Sequence, residues 1–274
     1  MKSILALADS GEQLEATLRT AALVAHRADA RLNVLHVRAI ADGVHPAGEL
    51  TLPEPMLERP AADEHGPTAA RARQVRACYE RVVAAGWSRS AWWEADGDKP
   101  ALVTGLGRVS DLVIIGRPGE DADPATVQAA LFATGRPVLV APPVPLPTIA
   151  TRVAIAWSNT IQASRSIGAA MALVAQAAET HVLIASRQDA RPSAEGLLAY
   201  LDTYGVSAKV DIYDPGMGSG RARGRALLRH AVAMGADLLV MGAYGEGRLA
   251  QFLGLGGATA KVISANTMPL LLAN

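Results

Sequence analysis

The order of sequence elements restarts near residue 151, and this internal repeat limits the possible folds more than any other feature of the chain. The first half opens SILALADSGEQLEATLRTAALVAHRADARLNVLHV, and the second opens RVAIAWSNTIQASRSIGAAMALVAQAAETHVLIA. Each is a short β-rich run, a polar turn, an Ala/Leu-rich segment with helical spacing, and a second apolar run. Leu14, Leu18, Ala21, Ala22 and Ala25 mark the apolar face of the first helix. Further on, SDLVIIGRPG (110–119) matches ADLLVMGAYG (236–245), and each half closes on proline plus an apolar run, RPVLVAPP and MPLLLAN. AWWEADG (91–97) and KVDIYDPG (209–216) supply a third strand to each half. The helical stretch RALLRHAVAMG follows the second of these, with Gly235 as its stop.

Each half therefore reads β-α-β-α-β-α-β-α-β. Strands alternating with helices favour a parallel sheet covered on both faces, and LVIIG and LLVMG are apolar without alternation, as doubly buried strands require. The expected fold class is α/β, with two tandem five-stranded, mostly parallel sheets and helices on both faces. The predicted domains are residues 1–145 and 150–274. Between them PPVPLPTIATR carries four prolines within six positions and makes a stiff connector. A proline-rich insertion at about residues 40–68 reads as a long surface loop of the first domain.

Half of the 274 residues are hydrophobic, enough for a sizeable core in each domain. Acidic and basic residues balance at 26 each, which argues against a general nucleic-acid binder. The single cysteine, Cys78, excludes an internal disulfide and fits a reducing compartment. The first residues offer only five apolar positions before Asp9, too few for a signal peptide, and no apolar run approaches a membrane span. The expectation is a soluble, cytoplasmic protein with no nucleic-acid or membrane partner.

In a doubly wound sheet, ligands bind outside the carboxyl ends of the strands, where strand order reverses. The fourth strand of the second half runs into Gly242-Ala-Tyr-Gly245, then ten residues, then Gly256-Gly257-Ala258-Thr259. Glycines let backbone N–H groups approach an anion, and a following helix offers free N–H groups and a positive dipole end. The same glycines would equally serve tight turns and close helix packing. The Walker ending Gly-Lys-Ser/Thr is absent, and so is the order Gly-x-Gly-x-x-Gly.

ADLLVMGAYGEGRLAQFLGLGGAT resembles the signature of the universal stress protein family through Gly242, Gly245, Arg248, Leu249, Phe252, Gly256 and Gly257. With the repeat and the closing MPLLLAN, the resemblance covers nearly the whole chain twice, as in the tandem members of that family. It implies a Rossmann-like, nucleotide-binding α-hydrolase-like fold in both domains. It also implies ATP, with magnesium, or another nucleotide as the ligand, and an intramolecular pseudo-dimer of the two domains through their last strands. A homodimer of the chain is a further expectation. Two positions depart from the family pattern. Ten residues rather than nine separate Gly245 from Gly256, and Gly257 stands where the ATP-binding members have Ser or Thr.

The family's other hallmark is an Asp after the first strand. The first half keeps it as Asp9, which a helix N-cap would also explain. The second half has Ser158 at the matching place, followed by Asn159. In the first half the glycine pair Gly116 and Gly119 runs into Glu120, Asp121 and Asp123, which would repel a polyphosphate and read as a solvated acidic loop. The resemblance therefore assigns nucleotide binding to the second half. Ser158 or Asn159 would face the base or ribose, and Gly242, Gly245, Gly256, Gly257 and Thr259 would hold phosphates.

PGMGSGRARGRALL (215–228) adds Arg221, Arg223 and Arg225 after the third strand, read as a basic helix start that could lie near the ligand mouth. The six histidines show no metal-ligand spacing, and no metal site is expected. No Gly-x-Ser-x-Gly elbow and no paired acid and base make a case for an enzyme. The reading is stress-dependent regulation or protection without turnover. A protein-interaction module of the same fold that binds no nucleotide is the alternative, and slow ATP hydrolysis is a third reading.

Overall fold

The computed structural model describes residues 1–38, 67–84, 86–87, 89–119, 122–186, 192–243 and 258–274. The chain divides into two compact units, Met1–Pro145 and Leu146–Asn274. It is an α/β protein. Among the described residues no helix is long and apolar enough to cross a membrane.

The first unit runs β1 (Ser3–Leu7), α1 (Leu14–Arg27), β2 (Arg31–Arg38), α2 (Pro67–Tyr79), β3 (Ser90–Asp96), α3 (Lys99–Arg108), β4 (Leu112–Ile115), α4 (Pro124–Gln128) and β5 (Val138–Val140). The helices α2 and α4 each widen into one π-turn, Glu80–Ala84 and Ala129–Ala133. Strand order is β3-β2-β1-β4-β5, and every pair is parallel. The second unit runs β6 (Arg152–Ala156), α5 (Ile161–Val174), β7 (Glu179–Ala185), α6 (Pro192–Asp202), β8 (Ala208–Tyr213), α7 (Gly220–Ala233), β9 (Leu238–Gly242), α8 (Ala258–Ala265) and β10 (Leu270–Ala273). Its order, β8-β7-β6-β9-β10, repeats that of the first, again with parallel pairs.

Each core lies on the central strands. Ile4, Leu5 and Ala6 of β1, Leu112 to Ile114 of β4, Val153 to Ile155 of β6 and Leu238 to Val240 of β9 are fully buried. Consecutive buried residues on one strand place apolar groups on both faces, which is why these runs do not alternate. Helix α1 buries Leu14, Leu18, Ala21 and Ala25 against its sheet, while Ala22 sits half-buried at the margin of that face.

An aspartate in each unit ties the start of the central strand to the strand beside it. Asp111, just before β4, accepts the backbone N–H groups of Lys2 and Ser3 at 2.5 and 3.1 Å. Asp237, just before β9, accepts those of Thr151 and Arg152 at 3.1 and 2.8 Å. These are the aspartates of the repeated SDL and ADL, and the contacts explain why both halves keep them: a carboxylate satisfies N–H groups at the end of a strand that no neighbouring strand reaches.

Candidate functional site

In the second unit the chain leaves β6 toward β7 and β8 on one side and returns to β9 and β10 on the other. Strand order therefore reverses between β6 and β9, which pair directly. The carboxyl ends of these two strands are Ala156 and Gly242, partners one residue out of step, with Ala156 opposite Met241. The crevice outside them is where this type of sheet takes a ligand.

Trp157 and three polar residues lead from β6 to α5. Ser158, Asn159 and Thr160 are all exposed. Asn159 has φ +51°, a left-handed conformation that asparagine tolerates better than most residues. The turn thus gives Asn159 a local reason for its identity. Thr160 is the N-cap of α5, its Oγ1 accepting the Ala163 N–H at 3.3 Å, and the Ser158 Oγ lies 3.2 Å from the Thr160 Oγ1. Ser158 keeps an exposed hydroxyl beside the capped helix start.

Gly242 packs directly on that start. A methyl group there would lie 2.6 Å from the Ala163 nitrogen and 2.8 Å from the Gln162 carbonyl carbon, so no side chain fits. The matching Gly116 of the first unit also approaches a helix, and a methyl group on it would lie 2.9 Å from the Thr17 Oγ1. Gly242 is required by the contact of a strand end with the backbone of a helix's first turn, whereas Gly116 stands against a helix side chain. Thr259 lies in the first turn of α8 and is 8% exposed. The start of α8 is held against α7 by the approach of Gly224 to Ala258, where a methyl would meet the Ala258 carbonyl oxygen at 2.6 Å. Gly245, Gly256 and Gly257 lie outside the described residues, as do Arg248, Leu249 and Phe252. The structure thus brings Ser158, Asn159 and Gly242 to the ends of adjacent strands and puts Thr259 at the start of the next helix.

The first unit has the equivalent crevice between β1 and β4. Asp9 does not cap α1, whose N-cap is Gln13 with no side-chain bond. Its carboxylate instead pairs with the Lys99 ammonium at the start of α3. Asp123 is the N-cap of α4, accepting the N–H groups of Ala125 and Thr126 at 3.0 and 3.1 Å and the Thr126 hydroxyl. These bonds, the hydroxyl's first, hold its carboxyl below the ordinary aspartate value. Glu120 and Asp121 lie outside the described residues, and so does the proline-rich insertion as far as residue 66. Beside the crevice, Arg38 grips Asp96 through two bonds of 2.7 and 2.6 Å and reaches Glu94 at 3.4 Å, while His36 Nδ1 lies 2.8 Å from the Ala8 carbonyl oxygen. The Arg38 guanidinium is held above its usual value, chiefly by Asp96. At the carboxyl ends of these strands the first unit thus pairs Asp9 with Lys99, and on the neighbouring β2 and β3 it pairs Arg38 with Asp96. Sequence reasoning missed Lys99 and Arg38, because their partners are distant in the chain and no local pattern announces them.

Arg221, Arg223 and Arg225 stand on the first turns of α7, whose N-cap is Ser219, with its Oγ accepting the Ala222 N–H at 3.4 Å. Arg223 and Arg225 are exposed, as a basic helix start in solvent requires.

Two repeated units of five parallel strands, each with a reversal of order beside its first strand, define a doubly wound α/β protein. Among solved structures the chain is similar to a universal stress protein from Archaeoglobus fulgidus DSM 4304, with a TM-score of 0.68 and 15% sequence identity, over 99% of this chain and 97% of that one. At that identity the likeness is one of fold. No protein-family model matches the chain, and no curated protein matches it either.

Proposed function

We propose that the protein is a tandem universal stress protein that acts in stress-dependent regulation or protection and binds ATP, with its magnesium, or another nucleotide in the second unit. The observation that carries this reading is the asymmetry between two otherwise matching crevices. At β6 and β9, Ser158 and Asn159 present an exposed hydroxyl and amide beside Gly242, ahead of the longer glycine-rich loop. At β1 and β4, the equivalent Asp9 is already paired with Lys99.

In the second unit Ser158 and Asn159 would hydrogen-bond the ribose or base, and the backbone N–H groups of Gly245, Gly256 and Gly257 would hold phosphate oxygens. Gly242 and Thr259 would set the approach of β9 and the start of α8 to those phosphates. A magnesium ion carried by the nucleotide would neutralise phosphate charge there. No residue is assigned to turnover.

Packing against α5 accounts for Gly242 by itself, so the interaction-module reading keeps that residue as well. The loop glycines separate the two. Gly245→Val places a branched side chain where the proposal needs a bare backbone. Mass analysis of the denatured, purified protein should find co-purified nucleotide in the wild type and none in the variant. Equal retention by both would remove the loop assignment, and nucleotide in neither would transfer the case to the interaction module.

A further inference from the structure

The geometry points to a homodimer built by antiparallel pairing of β8 with the β8 of a second copy of this chain. This goes beyond the nucleotide reading and does not depend on it.

The strand β8 is the edge of the second unit, bonded only to β7. Its backbone groups alternate in direction. The Ser186 N–H donates to the Tyr213 carbonyl at 2.8 Å, so Tyr213, Asp211 and Lys209 turn their backbone toward β7. Ala208, Val210 and Ile212 therefore turn theirs outward, and among the described residues nothing bonds to those groups. An open row of donors and acceptors is a template for another strand, which proteins normally blunt.

The edge carries exposed apolar side chains beside its charged ones. On one face Val210 is 38% and Ile212 52% exposed. The helix α6, which packs against β8, exposes Tyr200, and the turn after it exposes Tyr204, the two rings 5.3 Å apart. The corresponding edge of the first unit, β3, has no exposed large apolar side chain among the described residues.

The occupant is identified by charge and register. An antiparallel pair centred on Val210 puts Val210 opposite its own copy and Ala208 opposite Ile212. All three residues of each strand then exchange both backbone bonds with the copy. The same register puts Lys209 opposite Asp211, twice. Because Lys209 and Asp211 turn their backbone inward, they form the non-hydrogen-bonded pairs, whose Cα atoms come to about 4.5 Å and whose side chains sit closest. Lys209 is exposed, and Asp211 is partly open: its Oδ2 lies 2.7 Å from His181 Nδ1, leaving Oδ1 for the incoming ammonium. The stretch Lys-Val-Asp is thus complementary to itself in the one arrangement that satisfies the open edge, whereas an unrelated extended segment would match it only by coincidence.

The test uses the full chain in sedimentation velocity over a concentration series. The wild type should sediment as a dimer that dissociates on dilution. Val210→Pro removes an outward N–H without touching the ladder to β7, and should halve the mass while circular dichroism stays native. Lys209→Glu and Asp211→Lys each put like charges opposite one another and should each be monomeric. Mixed in equal amounts they restore opposite charges on both sides of the axis and should recover a heterodimer, which separates a lost interface from a lost fold. A monomeric wild type, a dimeric Val210→Pro protein, or charge variants that either dimerise alone or fail to pair in the mixture would overturn the proposal.

Discussion

A methyl group added at Gly242 would lie 2.6 Å from a backbone nitrogen of α5, whereas one added at Gly168, within the same helix, would meet nothing within 4 Å. The two glycines therefore respond in opposite directions. Gly242→Ala overpacks a strand-to-helix contact formed by backbone, and should lower the unfolding free energy by about 1–3 kcal/mol. Gly168→Ala removes a flexible residue from an exposed helix position, and should raise it by about 0.5–1 kcal/mol. Urea titration of both variants checks the pair. Asp123 makes a prediction in pH. Its folded value is depressed, so its contribution is complete above the ordinary aspartate value of about 3.9 and is lost as pH falls through the lower folded value. Asp123→Asn should therefore be less stable than wild type at neutral pH, and the difference should close in strong acid. A constant difference in urea midpoint across that range would contradict the role. At this scale the sequence was only partly legible. The residue at position 9 was evident as an aspartate after a strand, but its partner Lys99 sits 90 positions away and belongs to another helix. Asn159 looked like a ligand contact, and the structure adds a backbone reason for it.

The elements were far more readable, because burial on both faces and helical spacing are local signals. Eight of the ten strands lie on apolar runs and β3 and β8 on the mixed stretches read as third strands, and the order of elements repeats in each half. Helix starts were less evident. Asp9 offered an N-cap reading, but Gln13 precedes α1, and in the second unit Thr160 caps α5. Polar residues cluster in both turns, and only the path of the backbone selects which one meets the free N–H groups. Thr160→Ala should cost about 1 kcal/mol, read as a lower urea midpoint with an unchanged slope. The clamps at Asp111 and Asp237 illustrate the limit in another way. The repeated SDL and ADL make the aspartates visible, but their partners stand at the start of a strand far back in the chain, reached only once the sheet has formed.

For the molecule as a whole, the two units repeat one topology and differ in what occupies the reversal of strand order. The first unit pairs the residue after β1, Asp9, with Lys99. The second leaves Ser158 and Asn159 exposed at the matching position. The repeat made this difference visible in the sequence, since half one carries acidic residues where half two carries glycines. The pairing of Asp9 with Lys99 needed the fold. The proposed function therefore entails a number: one nucleotide per chain, in the second unit. Isothermal titration of the purified, nucleotide-stripped protein with ATP and magnesium measures it directly. Saturable heat with a stoichiometry of one per chain is expected, and either no heat at millimolar ATP or two sites per chain would contradict the proposed function.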